Sequence, residues 1–260
     1  MIVIGGGSII DFSKRVFLNL KNHKIKLWVL PSVIGSGSES SISSIINENF
    51  KKNIITNEKF LPDTIIYDEE LNKGVDSEKK ILGILDSITH CIESMTTINR
   101  NYYLEFLSIF TFKSFIKKYS ISKILNNKVD FNDMCVLSFN GGLSQSNAGS
   151  GICHALAHAA EQITGVDHSK CVSYFLYPTL LYLEKNNKEI SKKFGDKSLT
   201  HLKNILILCK KKYNFSSLDK IYSDNKINTL LSLAQNDPCW RLYEKNIDIK
   251  FLRKCLSERY

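Results

Sequence analysis

The chain has 260 residues, 43% of them hydrophobic and 23% charged, with a formal net charge of +9 from 35 Lys+Arg against 26 Asp+Glu. This is ordinary globular usage, enough to bury a sizeable core in one large domain or two small ones. The basic residues are scattered, and the densest run, Lys210-Lys211-Lys212, lacks interleaved aromatics, so a solvated helix face is expected there and no nucleic-acid partner.

The chain opens on a short β-branched run, Met1–Ile4, that enters Gly5-Gly6-Gly7. It has no basic n-region or cleavage site, so no secretory signal is expected. Ile9, Phe12, Val16, Phe17 and Leu20 then mark one face of a helix over Ile9–Leu20. Further strands are predicted at Lys26–Leu30, stopped by Pro31, at Asn53–Thr56 and at Thr64–Asp68. Together they predict a four-strand βα sheet that begins at residue 1 and leaves an edge uncovered. Leu71–Asp76 reads as a polar connection, and from about Ser77 onward the period is helical. Only Gly141-Gly142, Gly149–Gly151, Gly165 and Asn236-Asp237-Pro238 are expected to interrupt the helices. The boundary near 72–78 divides the chain into an α/β part, residues 1–75, and a helical part, residues 76–260. No run of about 18 apolar residues occurs, so no membrane partner is expected. The seven cysteines are odd in number and form no Cys-x-x-Cys pair, as suits reduced thiols in the cytoplasm. Cys91 and Cys153, each beside a histidine, read as small buried apolar residues.

Chemistry concentrates in the helical part. Asp86 and His90 are four residues apart, as are His154 and His158, and on a helix such pairs share a face. Ala155, Ala157, Ala159 and Ala160 keep the second helix slim, and His168 follows Gly165 closely enough to return from the next turn. Imidazoles grouped with a carboxylate suit a divalent transition metal such as Fe(II), Zn(II) or Mn(II). His23 and His201 have no such context and are expected at the surface. Gly5-Gly6-Gly7-Ser8 and Gly35-Ser36-Gly37-Ser38-Glu39 both follow strands. Such turns let a backbone approach phosphate closely at a helix N-terminus.

Several segments resemble the group III, iron-containing alcohol dehydrogenases. Gly5–Lys14 resembles their GGGSxxDxAK segment, Pro31–Glu39 their PTTAGTGSE loop, and Leu61-Pro62-Asp63 with Asp68 and Leu71 their LPD…DPxL stretch. Asp86–Glu93, DSITHCIE, resembles DALTHAIE; Gly151–Pro178 resembles the segment opening GxxHAxAH; and Asp237-Pro238-Cys239 resembles a C-terminal turn. The likeness is collinear from residue 1 to about 240. Ser169 stands where the family carries glycine, and Trp240-Arg241-Leu242-Tyr243 replaces its Asn-Pro-Arg.

The resemblance implies a dehydroquinate-synthase-like fold of class α/β plus α. Its nucleotide-binding segment is Rossmann-like and truncated, lacking the family's leading βα units, and an all-helical metal-binding domain follows. It implies metal ligands at Asp86, His90, His154 and His168, with iron(II) the first choice and zinc the second. It implies NAD or NADP contacts from Gly5, Gly6, Gly7, Ser8, Asp11, Ser32, Ser36 and Ser38, and a proton-transfer role for His158. The implied reaction is hydride transfer between the nicotinamide and a primary alcohol or aldehyde, with a homodimer as the assembly. An impaired remnant or partner subunit is the alternative reading, and a relative acting on a sugar or phosphonate aldehyde is a further one, motivated by polar Asn99-Arg100-Asn101.

Overall fold

Only three of the four expected β runs join the parallel sheet. In the computed structural model, which describes all residues except 21–23, 49–50, 224–225 and 259–260, β1 (Ile2–Gly5) leads through α1 (Gly7–Leu18) to β2 (Trp28–Pro31). The next two strands are β3 (Ser43–Glu48) and β4 (Lys51–Thr56), and β5 (Thr64–Ile65) follows. The sheet order is β1-β2-β5, with Ile2 opposite Trp28 and Trp28 opposite Thr64. Val3, Leu27 and Val29 meet Ile10 of α1 in a small core. Among the described residues β1 has a neighbour on one side only, and Ile2 and Ile4 are exposed. This is the uncovered edge that the sequence predicts.

The run Asn53–Thr56 corrects the four-strand expectation. It belongs to β4, which pairs antiparallel with β3 from Ser43↔Thr56 to Glu48↔Lys51. Two residues separate these strands, whereas a parallel return needs a crossover of about a dozen. β3 itself, over Ser43–Glu48, had no counterpart among the expected strands. His23, expected at the surface, lies outside the described residues. His201 is not free at the surface: it is half-buried, with Nε2 3.1 Å from the Tyr119 carbonyl oxygen.

The remaining chain is helical. The supposed polar connection winds into α2 (Glu69–Lys73), capped by Asp68. After it come α3 (Ser77–Glu93), α4 (Tyr102–Lys118), α5 (Ile121–Leu125), α6 (Phe131–Ala148), α7 (Ile152–Thr164) and α8 (His168–Asn186). The chain continues with α9 (Lys188–Phe194), α10 (Asp196–Lys212), α11 (Ser216–Ser223), α12 (Ile227–Asn236), α13 (Pro238–Leu242) and α14 (Ile249–Ser257). Residues Ile81–Glu93 of α3 are all buried, at the centre of a core shared with α6, α7 and α8. Gly165, in the left-handed region at φ 69°, ends α7 and turns the chain directly into α8. No helix among the described residues is long and apolar enough to cross a membrane.

Gly141-Gly142, expected to break a helix, lies inside α6. The glycines are there for contact. A Cβ on Gly142 would come within 2.4 Å of the Gly37 carbonyl oxygen, and one on Gly83 within 2.4 Å of the Ile34 carbonyl oxygen. The loop between β2 and β3 is thus pressed backbone to backbone against both α3 and α6. Hydrogen bonds fix the seam: Ser87 Oγ donates to the Gly35 carbonyl oxygen at 2.8 Å, and the Gly35 N–H donates to Ser138 Oγ at 3.0 Å. We predict that Gly142→Ala destabilises the protein by about 1–3 kcal/mol through overpacking. Urea unfolding measures this, and an unchanged midpoint would show that the seam is not tight.

Candidate metal centre

The fold gathers the predicted donors from three helices. Asp86 and His90 lie one turn apart on α3, His154 and His158 one turn apart on α7, and His168 opens α8. Donor atoms of Asp86, His154 and His168 all lie within 4.8 Å of one another. His90 stands beside them, its Nε2 3.7 Å from Asp86 Oδ1 and its ring stacked on that of His154 with centroids 4.8 Å apart. Asp86, His90, His154 and His158 are buried.

Three of the histidines rest Nδ1 on a carboxylate. His154 Nδ1 is 2.6 Å from Glu93 Oε2, His158 Nδ1 is 2.9 Å from Asp237 Oδ2, and His168 Nδ1 is 2.5 Å from Glu161 Oε1. A carboxylate only accepts, so each Nδ1 carries the proton. Nε2 of His154 and of His158, with Asp86 Oδ1, is then left buried without a hydrogen-bond partner. Unpaired buried polar atoms are costly, and a cation between them removes the cost. The donor set of one carboxylate and several imidazoles fits a divalent first-row ion.

Glu93 does a second job. It also accepts from the Gly151, Cys153 and His154 N–H groups, at 2.9, 2.5 and 3.3 Å. The first turn of α7 has no cap of its own, and the carboxylate from α3 takes that place. Asp237 likewise caps α13 through the Cys239 N–H at 2.8 Å while holding His158. It is brought there by the pairing of Thr97 with Tyr243 and by the Ile98 N–H on the Leu242 carbonyl oxygen at 2.9 Å. Neither carboxylate had a role in the sequence reading, since their partners lie 58–61 and 79 residues away. The motif context DSITHCIE was the one signal that pointed to Glu93.

The charges follow from this packing. Burial alone raises the Asp86 carboxyl, but the neighbouring His90 and His154 outweigh it and hold Asp86 below the usual carboxylate range. Burial pushes His90 down to about 4. Burial also disfavours charge on His154, yet Asp86 and Glu93 on its two sides win and lift it to about 9. A proton on His154 thus stands where a cation would. His158, pushed down to about 4 by burial and the Lys52 charge against the pull of Asp237, is neutral near pH 7.

The metal donors open on a cleft of about 1010 Å³ whose other wall is the glycine turn region. Gly6 and Gly7, at the start of α1, line it together with Ser8, Asp11, Ser36 and Ser38. Gly5 and Ser32 do not line it: the Ser32 N–H donates to the Gly5 carbonyl oxygen at 3.0 Å, and the Ser32 carbonyl oxygen accepts from Asn72. Asp11 spends Oδ2 on the Ile45 N–H at 3.1 Å. Fully buried Lys14 donates to the carbonyl oxygens of Ser38, Ser41 and Ser43 at 2.6–2.8 Å, pinning the second loop to α1. Burial lowers its ammonium to about 8, so it stays charged at neutral pH.

Residues 80–220 match the Fe-containing alcohol dehydrogenase family, C-terminal, and residues 1–69 match iron-containing alcohol dehydrogenase. The chain belongs to the iron-containing alcohol dehydrogenase family. It is 27% identical over 201 residues to the probable alcohol dehydrogenase EutG of Escherichia coli, covering 70% of this chain and 50% of that protein. It is 24% identical over 207 residues to the 4-hydroxybutyrate dehydrogenase of Clostridium kluyveri, covering 72% of this chain and 55% of that protein. The chain therefore spans about half the length of these curated relatives. Its fold is that of an iron-containing alcohol dehydrogenase from Thermococcus thioreducens, with a TM-score of 0.77 at 19% identity over 98% of this chain and 75% of that one. A putative alcohol dehydrogenase from Ralstonia eutropha gives 0.80 at 18%, over 98% and 72%.

Because His154 binds a proton in the metal-free protein up to about pH 9, a metal entering below that pH must expel it. Zinc affinity should rise with pH and level off above about 9. Calorimetry in buffers of different ionisation enthalpy should count about one proton from His154 released per zinc near pH 7.5. Release of none would show that the imidazole is already bare.

Proposed function

We propose that the chain is the metal-binding catalytic part of an alcohol dehydrogenase that exchanges hydride between NAD(P)(H) and a primary alcohol or aldehyde. The observation that carries this is the convergence of Asp86, His154 and His168 beside His90, with unpaired buried donor atoms facing a cleft whose opposite wall is built of glycine turns. The alcohol dehydrogenase names of its relatives support it. In this reading Asp86, His90, His154 and His168 hold iron(II), for which zinc can substitute at the same nitrogen and oxygen donors. The ion supplies Lewis-acid polarisation of a substrate oxygen, and the nicotinamide supplies the hydride carrier.

The chain's residues do the positioning. Gly6, Gly7 and Ser8 present the N-terminus of α1 to a pyrophosphate, while Ser36 and Ser38 face the cleft from the loop that Lys14 pins. Asp237 keeps the His158 proton on Nδ1, so Nε2 is an acceptor held neutral at working pH. His158 can there take up or return the substrate's hydroxyl proton. The seven free, buried cysteines support a cytoplasmic location as part of the same proposal.

Two measurements test the reading. Asp86→Ala and His168→Ala should each lower bound metal, read by elemental analysis after dialysis, by at least about tenfold in affinity, because each removes a direct ligand. Unchanged metal content would overturn the assignment. Tryptophan-excited fluorescence should report NADH or NADPH binding below about 1 mM, and no binding there would remove the dehydrogenase activity from this chain.

A further inference from the structure

His168 is the least protected of the four candidate ligands. Its side chain is 33% accessible, and it is the first residue of α8, where the helix has no side-chain cap. Its own helix does not orient the ring. The group that does so comes from the end of α7: Glu161 Oε1 lies 2.5 Å from His168 Nδ1. That contact commits Nδ1 to carrying the proton and leaves Nε2 with its lone pair for a metal.

Glu161 is itself held from across the cleft. Lys52, on β4, places Nζ 2.9 Å from Glu161 Oε2 and 3.1 Å from Oε1. Both side chains are largely buried, at 11% and 12% accessible. The three residues therefore link the antiparallel hairpin, α7 and the start of α8, although Lys52 is 109 residues from Glu161 in sequence. The neighbouring pairs His154–Glu93 and His158–Asp237 use the same arrangement of carboxylate on Nδ1.

We propose that Glu161 is a positioning residue of the metal centre, orienting His168 and selecting Nε2 as its ligand atom, while Lys52 balances the Glu161 charge without being needed for that orientation. This rests on the metal-binding reading above. Donor atoms of His158, Glu161 and His168 also lie within 4.8 Å of one another, so Glu161 could be considered a ligand in its own right. The Lys52 ammonium against both of its oxygens opposes that, since a second cation there is repelled. A carboxylate that orients a ligating imidazole contributes about 10–100-fold to metal affinity.

The test uses the whole chain, stripped of metal and titrated with zinc against a chromophoric chelator, and with Co(II) followed by its visible spectrum. Glu161→Gln should weaken zinc by about 10–100-fold and alter the Co(II) bands, while Glu161→Asp recovers part of both. Lys52→Met should hold zinc as tightly as the wild type or tighter, because it takes a cation away from beside a cation. Circular dichroism and a cooperative melt establish that each variant is folded. If Glu161→Gln binds zinc like the wild type with the same Co(II) spectrum, the proposal is wrong while the metal centre stands. If Lys52→Met loses as much affinity as Glu161→Gln, Glu161 matters through its ion pair and the proposal is again wrong. If the wild type takes up no metal, both the proposal and the reading it rests on fall.

Discussion

A single buried carboxylate ties the candidate site together. Glu93 ends α3, and its two oxygens take the amide protons at the start of α7 and the Nδ1 proton of His154. One charged group thereby closes the helix–helix joint, compensates the dipole of α7 and sets the tautomer of the His154 imidazole. Asp86, two turns earlier on the same helix, faces the other side of that ring. The His154 ring is thus held between two carboxylates, one for orientation and one within the donor group. Such a buried pair of negative charges needs a positive partner, either a proton on His154 or a metal ion.

The second constraint is contact without side chains. Gly37 against Gly142 and Gly35 against Gly83 let the loop after β2 touch α6 and α3 at backbone distance. The glycine turns and the histidine cluster line one cleft, and any Cβ in that seam would force the loop away from the helices. Lys14, with three carbonyl oxygens on one ammonium, fixes the same loop from the α1 side. The cleft is therefore bordered by rigid elements, while the Lys52–Glu161 ion pair bridges its walls.

Much of this was legible in the chain. The strand-to-glycine-turn-to-helix opening, the switch to helical period near residue 77 and the two i, i+4 donor pairs follow from local rules of periodicity and turn chemistry. Where local rules mislead, the reason is equally physical. Gly141-Gly142 reads as a break because glycine weakens an isolated helix, whereas in the fold a neighbouring backbone occupies the missing Cβ space. Asn53–Thr56 reads as a fourth sheet strand because its residues favour a strand, and strand preference does not name the partner, which is β3. Ser32 and Gly5 share motifs with residues that line the cleft, yet the Ser32 N–H is spent on the Gly5 carbonyl oxygen at the end of the β1–β2 pairing.

The sequence by itself determined which donor atoms exist and which share a helix face, because a 3.6-residue period fixes those relations within one turn. It also placed a glycine turn after each of the first two strands. Only the tertiary structure decided which nitrogen of each imidazole is free. For His154, His158 and His168 that choice is made by Glu93, Asp237 and Glu161, and two of the three reach their histidines from 61 and 79 residues away in the chain. Even Glu161, seven residues from His168, meets it only because Gly165 turns the chain back. Hydrogen bonds of this kind depend on how helices pack, and no local pattern encodes that.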